Sequence, residues 1–120
     1  MKQGDVVLVR FPHPSGVRGK KRPAVVVQSD HYAGKLMTVV VAEVTKNLSM
    51  KDDPACLFID LNTADGKSTG LLSDSVVSGL LLVTVYADSV AHILGSLSDS
   101  LKQKLAACLL VALDLNGGQQ

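Results

Sequence analysis

Short apolar runs, each followed by turn-forming residues, fill the chain up to residue 98. Such runs lie at residues 5–11, 22–29, 36–45, 56–62, 75–86 and 90–98. They are rich in valine and other apolar residues and are bounded by Gly, Pro, Asn, Asp and Ser, a pattern typical of β-strands. The first three runs leave no room for crossover helices between them, so they predict antiparallel pairing.

The spacing of apolar residues changes near residue 98. One helical face is then formed by Leu101, Leu105, Cys108, Leu109 and Ala112. This spacing predicts a C-terminal helix, which Ser98 or Asp99 is suited to cap. Leu110, Val111 and Leu113 are apolar on other faces, so we expect the helix to be either deeply buried or packed on a partner.

The order of these elements predicts a mainly β fold with a C-terminal helix. We expect a small, strongly twisted antiparallel sheet that curls toward a barrel, with one long helix packed against it. Gly79 interrupts the fifth run and is suited to a bulge or bend. The sequence shows no internal repeat or linker, and we predict one domain over residues 1–116 and a frayed tail over 117–120.

Composition favours a folded chain, and the charge is unevenly distributed. The 120 residues are 47% hydrophobic and 19% charged, with a formal net charge of +1. The segment from Arg10 to Arg22 holds five of the twelve Lys and Arg residues and none of the eleven acids. Such a segment attracts a polyanion locally, or it is a solvated loop that aids solubility.

Cysteines and histidines indicate no metal site in the sequence. Cys56 and Cys108 each lie inside an apolar run and predict buried, reduced thiols, while His13, His31 and His92 are scattered along the chain. The N-terminal stretch has no long apolar segment ahead of a cleavage-like site, and the apolar tracts are too short or interrupted to span a bilayer. We therefore predict a cytoplasmic location.

Strand alternation brings two chemically useful residues together. Arg22 shares a predicted strand face with Ala24 and Val26, and Thr45 shares one with Glu43. Antiparallel pairing through the turn at 30–36 places Arg22 close to Thr45, with the basic loop 12–21 over the same edge. Arginine presents a planar fork of donors that matches phosphate oxygens, and threonine adds a short hydrogen bond. This edge is thus suited to hold a phosphate.

At these residues the sequence resembles the MazF/PemK toxins of bacterial type II toxin–antitoxin systems. The resemblance is carried by GDVVLVRF, RPAVVVQSD and VVVAEVT in this order, and it continues in GLLSDSVV and in LGSLSDSLKQKLAACLLVALDL. It implies an SH3-like twisted barrel of the CcdB/MazF type and a homodimer. It also implies a sequence-specific endoribonuclease that cleaves single-stranded mRNA without metal or other cofactor, and a cognate antitoxin with a disordered tail.

The resemblance further implies that Arg22 and Thr45 form the catalytic pair. In such a reaction the ribose 2′-OH attacks the adjacent phosphorus and leaves a 2′,3′-cyclic phosphate and a 5′-OH. Arg22 is suited to stabilise the charge on the phosphorane, but its guanidinium is too basic to accept a proton. Thr45 would orient a phosphate oxygen or the 2′-OH. Glu43 and His13 are the candidate proton acceptors.

The wider RNA contacts are predicted around the basic segment and after the third strand. The candidates are Arg10, Phe11, His13, Ser15, Arg18, Lys20, Lys21, Lys46 and Asn47. The cations among them would contact the RNA backbone, which adds affinity and salt dependence but no sequence readout. Aromatic residues are scarce, so we expect base selection to rest on hydrogen bonds from loops 12–21 and 46–53.

Two departures from the family pattern stand out. The loop before Arg22 reads PSGVRGKK, where many members carry Gly-Ser-Glu-Gln. The fifth strand has Leu81, Leu82 and Val83 where many members carry Gln-Ile-Arg, and it keeps only Thr84. The missing glutamine and arginine would remove polar support near the site or the dimer groove.

Two other functions are compatible with the sequence. One is a non-catalytic, CcdB-like toxin of the same fold that acts on DNA gyrase or another protein target, for which the apolar C-terminal helix is the surface of interest. The other is an SH3-like interaction module whose basic loop binds nucleic acid passively. The basic segment and the pair Arg22 and Thr45 favour the endoribonuclease.

Overall fold

The computed structural model describes residues 1–12 and 18–115, and it confirms a mainly β chain with a C-terminal helix. The strands are β1 (Asp5–Pro12), β2 (Arg18–Val26), β3 (Thr38–Thr45), β4 (Cys56–Ile59), β5 (Ser75–Tyr86) and β6 (Val90–Ser96). The helices are α1 (Ala64–Lys67) and α2 (Asp99–Ala112), with 3₁₀ turns at Asp30–Tyr32 and Ala87–Ser89.

The six strands form one antiparallel sheet in the order β4-β5-β3-β2-β1-β6. The sheet curls into a partial barrel, as the sequence predicts. Strands that are consecutive along the chain pair directly at β1–β2, β2–β3 and β4–β5, whereas β6 crosses over to pair with β1. None of the helices that the structure describes is long and apolar enough to cross a membrane.

The central strands β1, β2 and β3 bury both faces of the sheet, because their alternate residues enter different cores. On one face Val6, Val25 and Ala42 pack with α2. On the other face a second core is made by Val7, Val9, Phe11, Ala24, Val26, Val39, Val41 and Val85. These residues all come from strands, so the curvature of the sheet itself encloses the second core. The predicted common face of Ala24 and Val26 is thereby confirmed.

The predicted irregularity at Gly79 is confirmed. In the β3–β5 ladder Val44 pairs with Val77, whereas Ala42 pairs with Leu82, so residues 78–81 of β5 lie opposite a single residue of β3. A side chain at Gly79 would lie 2.7 Å from the carbonyl oxygen of Ala55. The bulge therefore needs glycine at the point where two backbones meet.

Helix α2 begins as predicted and buries one face. The Ser98 side-chain oxygen accepts a hydrogen bond from the Leu101 N–H at 3.2 Å, which caps the helix. Leu101, Leu105 and Cys108 are buried, as the spacing predicts. Leu110, Val111 and Leu113 remain 44%, 43% and 50% exposed. Of the two expectations for this helix, deep burial within the chain is therefore wrong.

Both cysteines are free and buried, which confirms their predicted state. Burial raises the pKa of the Cys108 thiol, and the nearby Cys56 raises it further. Since the thiolate is the reactive form, Cys108 is held in its unreactive state.

Several predicted boundaries are wrong, and the error at β2 matters for the site. Strand β2 begins at Arg18 rather than at Arg22, so Lys20 and Lys21 lie in a strand rather than in a loop. The cause is pairing with β1, where Arg10 lies opposite Lys21. Apolar periodicity cannot reveal strand residues whose side chains face solvent.

The other errors are smaller. Strand β3 begins two residues later than predicted, and β2, β4 and β6 end before their apolar runs do. The connection predicted as a turn over 63–70 contains the short helix α1, which Thr63 caps by accepting a hydrogen bond from the Gly66 N–H. The predicted tail at 117–120 lies outside the described residues.

Candidate functional site

Arg22 and Thr45 lie at the same end of two neighbouring strands. The β2–β3 ladder pairs Val26 with Val41 and Ala24 with Glu43. Arg22 lies two residues before Ala24 on β2, and Thr45 lies two residues after Glu43 on β3. Because alternate residues of a strand share a face, Arg22 shares a face with Ala24, and Thr45 shares one with Glu43.

Both residues line one pocket of about 580 Å³, which we call the Arg22–Thr45 pocket. Its polar lining includes Lys21, Arg22, Thr45, Lys46, Ser73 and Ser75. Its apolar lining is formed by Leu8, Pro23, Val44, Leu71, Leu72 and Leu94. The pocket thus combines a cationic rim with a predominantly leucine wall.

The three cations of the rim are exposed: Lys21, Arg22 and Lys46. Among the residues that the structure describes, ion pairs join Lys51 to Asp52 and Lys102 to Asp99, and neither involves the rim. Three like charges around one pocket repel one another, so an anion bound among them would stabilise the rim.

The turn after β3 fixes Thr45 and its neighbours. The Thr45 side-chain oxygen accepts a hydrogen bond from the Asn47 N–H at 3.0 Å, and the Asn47 side-chain oxygen accepts one from the Ser49 N–H at 3.0 Å. These bonds leave the Thr45 hydroxyl hydrogen and the Asn47 amide NH₂ available as donors. Lys46 lies between them and also lines the pocket.

Five of the predicted site residues that the structure describes do not line this pocket, and Asn47 is one of them. Phe11 is only 8% exposed and packs in the second core, so its ring offers no free face for a base. Arg10 is half-buried, and its Nη1 donates to the Gly19 carbonyl at 3.0 Å, which braces the β1–β2 hairpin. Lys20 is exposed on β2, and Glu43 is half-buried opposite Ala24.

Three further predicted residues fall outside what the structure describes. His13 and Ser15 belong to the segment 13–17, which is not described. Arg18 is the first residue of β2, but its side chain is not described either. Their predicted contacts with RNA therefore stay predictions.

Metal-ligating side chains do not gather within residues 1–12 and 18–115, where no group of three His, Cys, Asp or Glu could hold an ion. His31 contacts the ring of Tyr32 edge-on at 4.9 Å, and His92 lies opposite Leu8 in the β1–β6 ladder. The pocket itself presents guanidinium, ammonium and hydroxyl groups. These are hydrogen-bond donors, and the set is suited to an anion.

Sequence reasoning missed the wall of the pocket that comes from the connection before β5, from the first residue of β5 and from β6. Leu71, Leu72, Ser73, Ser75 and Leu94 belong to it. The one sequence signal was a pair of leucines, Leu71 and Leu72, next to a glycine in an otherwise turn-like connection. Periodicity does not assign such residues to a site, because their position depends on long-range contacts.

Comparison with known proteins identifies similar sequences over nearly the whole chain. A family model described as "PemK-like, MazF-like toxin of type II toxin-antitoxin system" matches residues 2–113. Endoribonuclease MazF2 of Mycobacterium bovis is 35% identical over 104 residues, which cover 85% of this chain and 87% of that protein. Endoribonuclease MazF6 of Mycobacterium tuberculosis matches with the same identity and coverage.

Solved structures share the fold at lower sequence identity. An endoribonuclease in complex with its cognate antitoxin, from Mycobacterial species, superposes with a TM-score of 0.77 at 17% identity and covers 96% of both chains. MazE-MazF from Deinococcus radiodurans superposes with a TM-score of 0.72 at 19% identity, covering 95% of this chain and 96% of that one. These likenesses confirm the predicted fold class.

Proposed function

Because the chain belongs to the PemK-like, MazF-like toxins of type II toxin–antitoxin systems, we propose that it is an endoribonuclease that cleaves single-stranded mRNA. The curated relatives, at 35% identity, are named endoribonucleases. The departure in β5, at Leu81, Leu82 and Val83, lies outside the lining of the Arg22–Thr45 pocket, so it removes none of the donors there.

One observation carries the proposal: Arg22 and Thr45 line the same pocket, on a rim that also holds Lys21 and Lys46. RNA carries a phosphate between successive riboses, and the 2′-OH next to it is an internal nucleophile. A site that holds that phosphate among cations and a hydroxyl supplies the electrostatic stabilisation that the reaction needs.

In the proposed mechanism the 2′-oxygen attacks the adjacent phosphorus while the 5′-oxygen leaves. The bond to the 5′-oxygen breaks, and the products are a 2′,3′-cyclic phosphate and a 5′-OH. Arg22 offers two parallel N–H donors to the phosphorane oxygens, where negative charge develops. The Thr45 hydroxyl donates to a phosphate oxygen, since its own oxygen already accepts from Asn47.

The 2′-OH must lose its proton to a base, and the leaving 5′-oxygen must gain one, which the protonated base or solvent water supplies. Arg22 stays protonated and is excluded as the base. Glu43 remains the candidate among the described residues, although it does not line the pocket; it lies two residues before Thr45 on β3. His13 stays the second candidate.

Partners follow from the same proposal. We infer a cognate antitoxin with a disordered tail, supported by similar structures titled as toxin–antitoxin complexes. We infer a homodimer as well, because exposed leucines follow a contact between β5 and α2. Gly79 lies against Ala112, and Leu81 and Leu113, which come two residues and one residue later in the chain, are exposed. Action on mRNA implies that the toxin works in the cytoplasm.

The alternative of a non-catalytic toxin that acts on DNA gyrase is not favoured. A protein that acts through protein contacts alone does not need three exposed cations around a threonine hydroxyl. The curated relatives are also named for RNA cleavage.

The test is cleavage of a long unstructured RNA by the purified protein in the presence of EDTA, with Arg22→Ala in parallel. We expect discrete cuts that leave 5′-OH and 2′,3′-cyclic phosphate ends, and a rate at least about 10²-fold lower for Arg22→Ala. Arg22 is exposed, so the variant should melt at the wild-type temperature.

Two outcomes would overturn the proposal. One is wild-type protein that arrests growth but cuts no RNA, which would point to a protein target. The other is an Arg22→Ala variant that cuts at the wild-type rate, which would place the chemistry elsewhere. Loss of cleavage in EDTA that returns on addition of Mg²⁺ would refute the metal-independent mechanism.

A further inference from the structure

Leu72 is the most exposed large apolar side chain of the described residues, at 96% of its surface. It makes almost no contact within the chain, so it contributes little to folding. A single exposed leucine is ordinary on a protein surface. Leu72 differs because it lines the Arg22–Thr45 pocket together with Leu71 and Leu94.

The segment that presents Leu72 is rigidly built on its N-terminal side. Thr69 is fully buried; its hydroxyl donates to the Gly66 carbonyl at 2.6 Å, and its oxygen accepts from the Leu71 N–H at 3.2 Å. Gly70 follows with φ of +74°, a conformation that glycine adopts without strain.

Strand β6 and the start of β5 hold the same segment from two sides. A side chain at Gly70 would collide with the backbone of Leu94, and one at Gly95 would lie 2.5 Å from the Ser68 carbonyl oxygen. On the other side the Ser75 hydroxyl donates to the Ser73 carbonyl at 2.8 Å. The backbone around Leu72 is therefore fixed before any ligand binds, which lowers the entropic cost of binding.

The surroundings of this leucine identify the ligand that it suits. The pocket has leucine walls and a rim of exposed cations, and its volume of about 580 Å³ lies in the range of small-molecule sites. A nucleotide combines an apolar, flat base with a phosphate a few bonds away. Enzymes that hold single bases stack them against aromatic or apolar side chains.

We propose that Leu72, with Leu71 and Leu94, forms a shelf for the nucleobase next to the phosphate that Arg22 and Thr45 hold. This inference rests on the proposed endoribonuclease function and assigns the position of one base. A disordered antitoxin segment with an apolar side chain is the competing occupant. The cationic rim favours RNA, because each nucleotide brings its own phosphate to it.

The shelf predicts a contact between Leu72 and one particular base. The test uses a short RNA that spans a mapped cleavage site, made uncleavable by a 2′-deoxy ribose at that site, and a set of the same RNAs with one base removed at each position in turn. We expect Leu72→Ala to bind the intact RNA about tenfold more weakly than wild type. Leu72→Phe should bind at least as tightly, because a ring also stacks.

At one position of the RNA, the effect of removing the base and the effect of Leu72→Ala should not add. An RNA that lacks the base next to the scissile phosphate should bind equally to wild type and Leu72→Ala, since the contact is already missing. Met37→Ala is the matched control, because Met37 is 80% exposed and does not line the pocket, and it should bind every RNA as wild type does. Unchanged melting temperatures show that the variants fold.

The outcomes separate this inference from the proposed function. Wild-type cleavage together with equal RNA binding by Leu72→Ala overturns the shelf and leaves the endoribonuclease standing. The shelf is also overturned if Leu72→Ala weakens RNA binding by the same factor whichever base has been removed from the RNA. A Leu72→Ala variant that loses only antitoxin affinity assigns the surface to the antitoxin. Absence of any RNA binding or cleavage by wild type overturns both proposals.

Discussion

The Thr45 side-chain oxygen accepts a hydrogen bond from the backbone N–H of Asn47 at 3.0 Å. This bond orients the hydroxyl at the end of β3 and occupies one of its lone pairs. The hydroxyl hydrogen remains to be donated into the pocket that Arg22 also lines. The Thr45 hydroxyl is therefore oriented so that it can donate a hydrogen bond to an anion.

Two substitutions of Thr45 distinguish the contribution of its hydroxyl from that of its side-chain volume. Thr45→Val keeps the volume but removes the donor, and we expect cleavage to slow by about 10²-fold or more. Thr45→Ser keeps the donor and should stay within about tenfold of wild type, because serine loses only a methyl group and its restriction on rotation. Cleavage rates at saturating protein measure the difference.

Stability must be followed in the same variants, because Thr45→Val also removes the acceptor for the Asn47 N–H. That loss should lower the free energy of unfolding by about 1 kcal/mol, which urea denaturation can measure. A Thr45→Val protein that is destabilised to this extent but cuts RNA normally would show that the hydroxyl has only a structural role.

The cations of the rim predict the salt dependence of RNA binding. Lys21→Ala and Lys46→Ala should each weaken binding to an uncleavable RNA. Each should also reduce the slope of log affinity against log salt by about 0.7, the value for one phosphate contact in a single strand. Titrations at several salt concentrations measure this slope.

Lys104 provides the matched control, because it is equally exposed but lies on α2 and does not line the pocket. Lys104→Ala should leave the slope unchanged. If all three variants shift the slope alike, the attraction reflects overall charge, and the rim holds no particular phosphate.

Much of the fold could be predicted from the sequence, because burial leaves a periodic trace. Strand β5 has the bounds that the sequence predicts. Ser98, which caps α2, is one of the two residues predicted to do so. The start of β2 at Arg18 was missed. There the strand continues through Lys20 and Lys21, which are held by backbone pairing with β1 and have no apolar pattern to reveal them.

The site was predictable only in part. The proximity of Arg22 and Thr45 follows from alternation along two consecutive strands that pair through one turn. The leucine wall depends on contacts between β6 and the connection before β5, such as the close approach of Gly70 to Leu94. Strand β6 crosses over to lie beside β1 instead of pairing with β5, and no pattern in a single sequence indicates that crossover. Phe11 was predicted to contact RNA because it lies near the basic segment. That position in the chain does not indicate which face of the sheet its ring occupies.

A comparison of two glycines measures how firmly the Leu72 segment is held. Gly34 and Gly70 share a φ of +74°, so alanine at either position costs about 1–2 kcal/mol of backbone strain. A side chain at Gly34 meets nothing within 4 Å, whereas one at Gly70 collides with the Leu94 backbone. We expect Gly70→Ala to be more destabilising than Gly34→Ala by about 1–3 kcal/mol in urea denaturation. Equal losses would show that the segment moves away freely.

The inferred homodimer can be tested at the exposed leucines of β5. Leu81 is 47% exposed next to the contact of Gly79 with Ala112, so a lysine there can be solvated in the separate chain. In a dimer that buries this surface the same lysine would be desolvated without a partner, which costs several kcal/mol. We therefore expect the wild-type protein to have twice the 12.6 kDa mass of one chain in light scattering, and Leu81→Lys to have that of one chain.

Met37→Lys is the control for this charge change, because Met37 is exposed in the connection before β3, away from the Gly79–Ala112 contact. It should leave the mass of the wild type unchanged. Since the association of two chains depends on concentration, dilution should also dissociate Leu81→Lys well before Met37→Lys. A Leu81→Lys protein that keeps the wild-type mass on dilution would place the interface on another surface, and a monomeric wild type would refute the dimer itself.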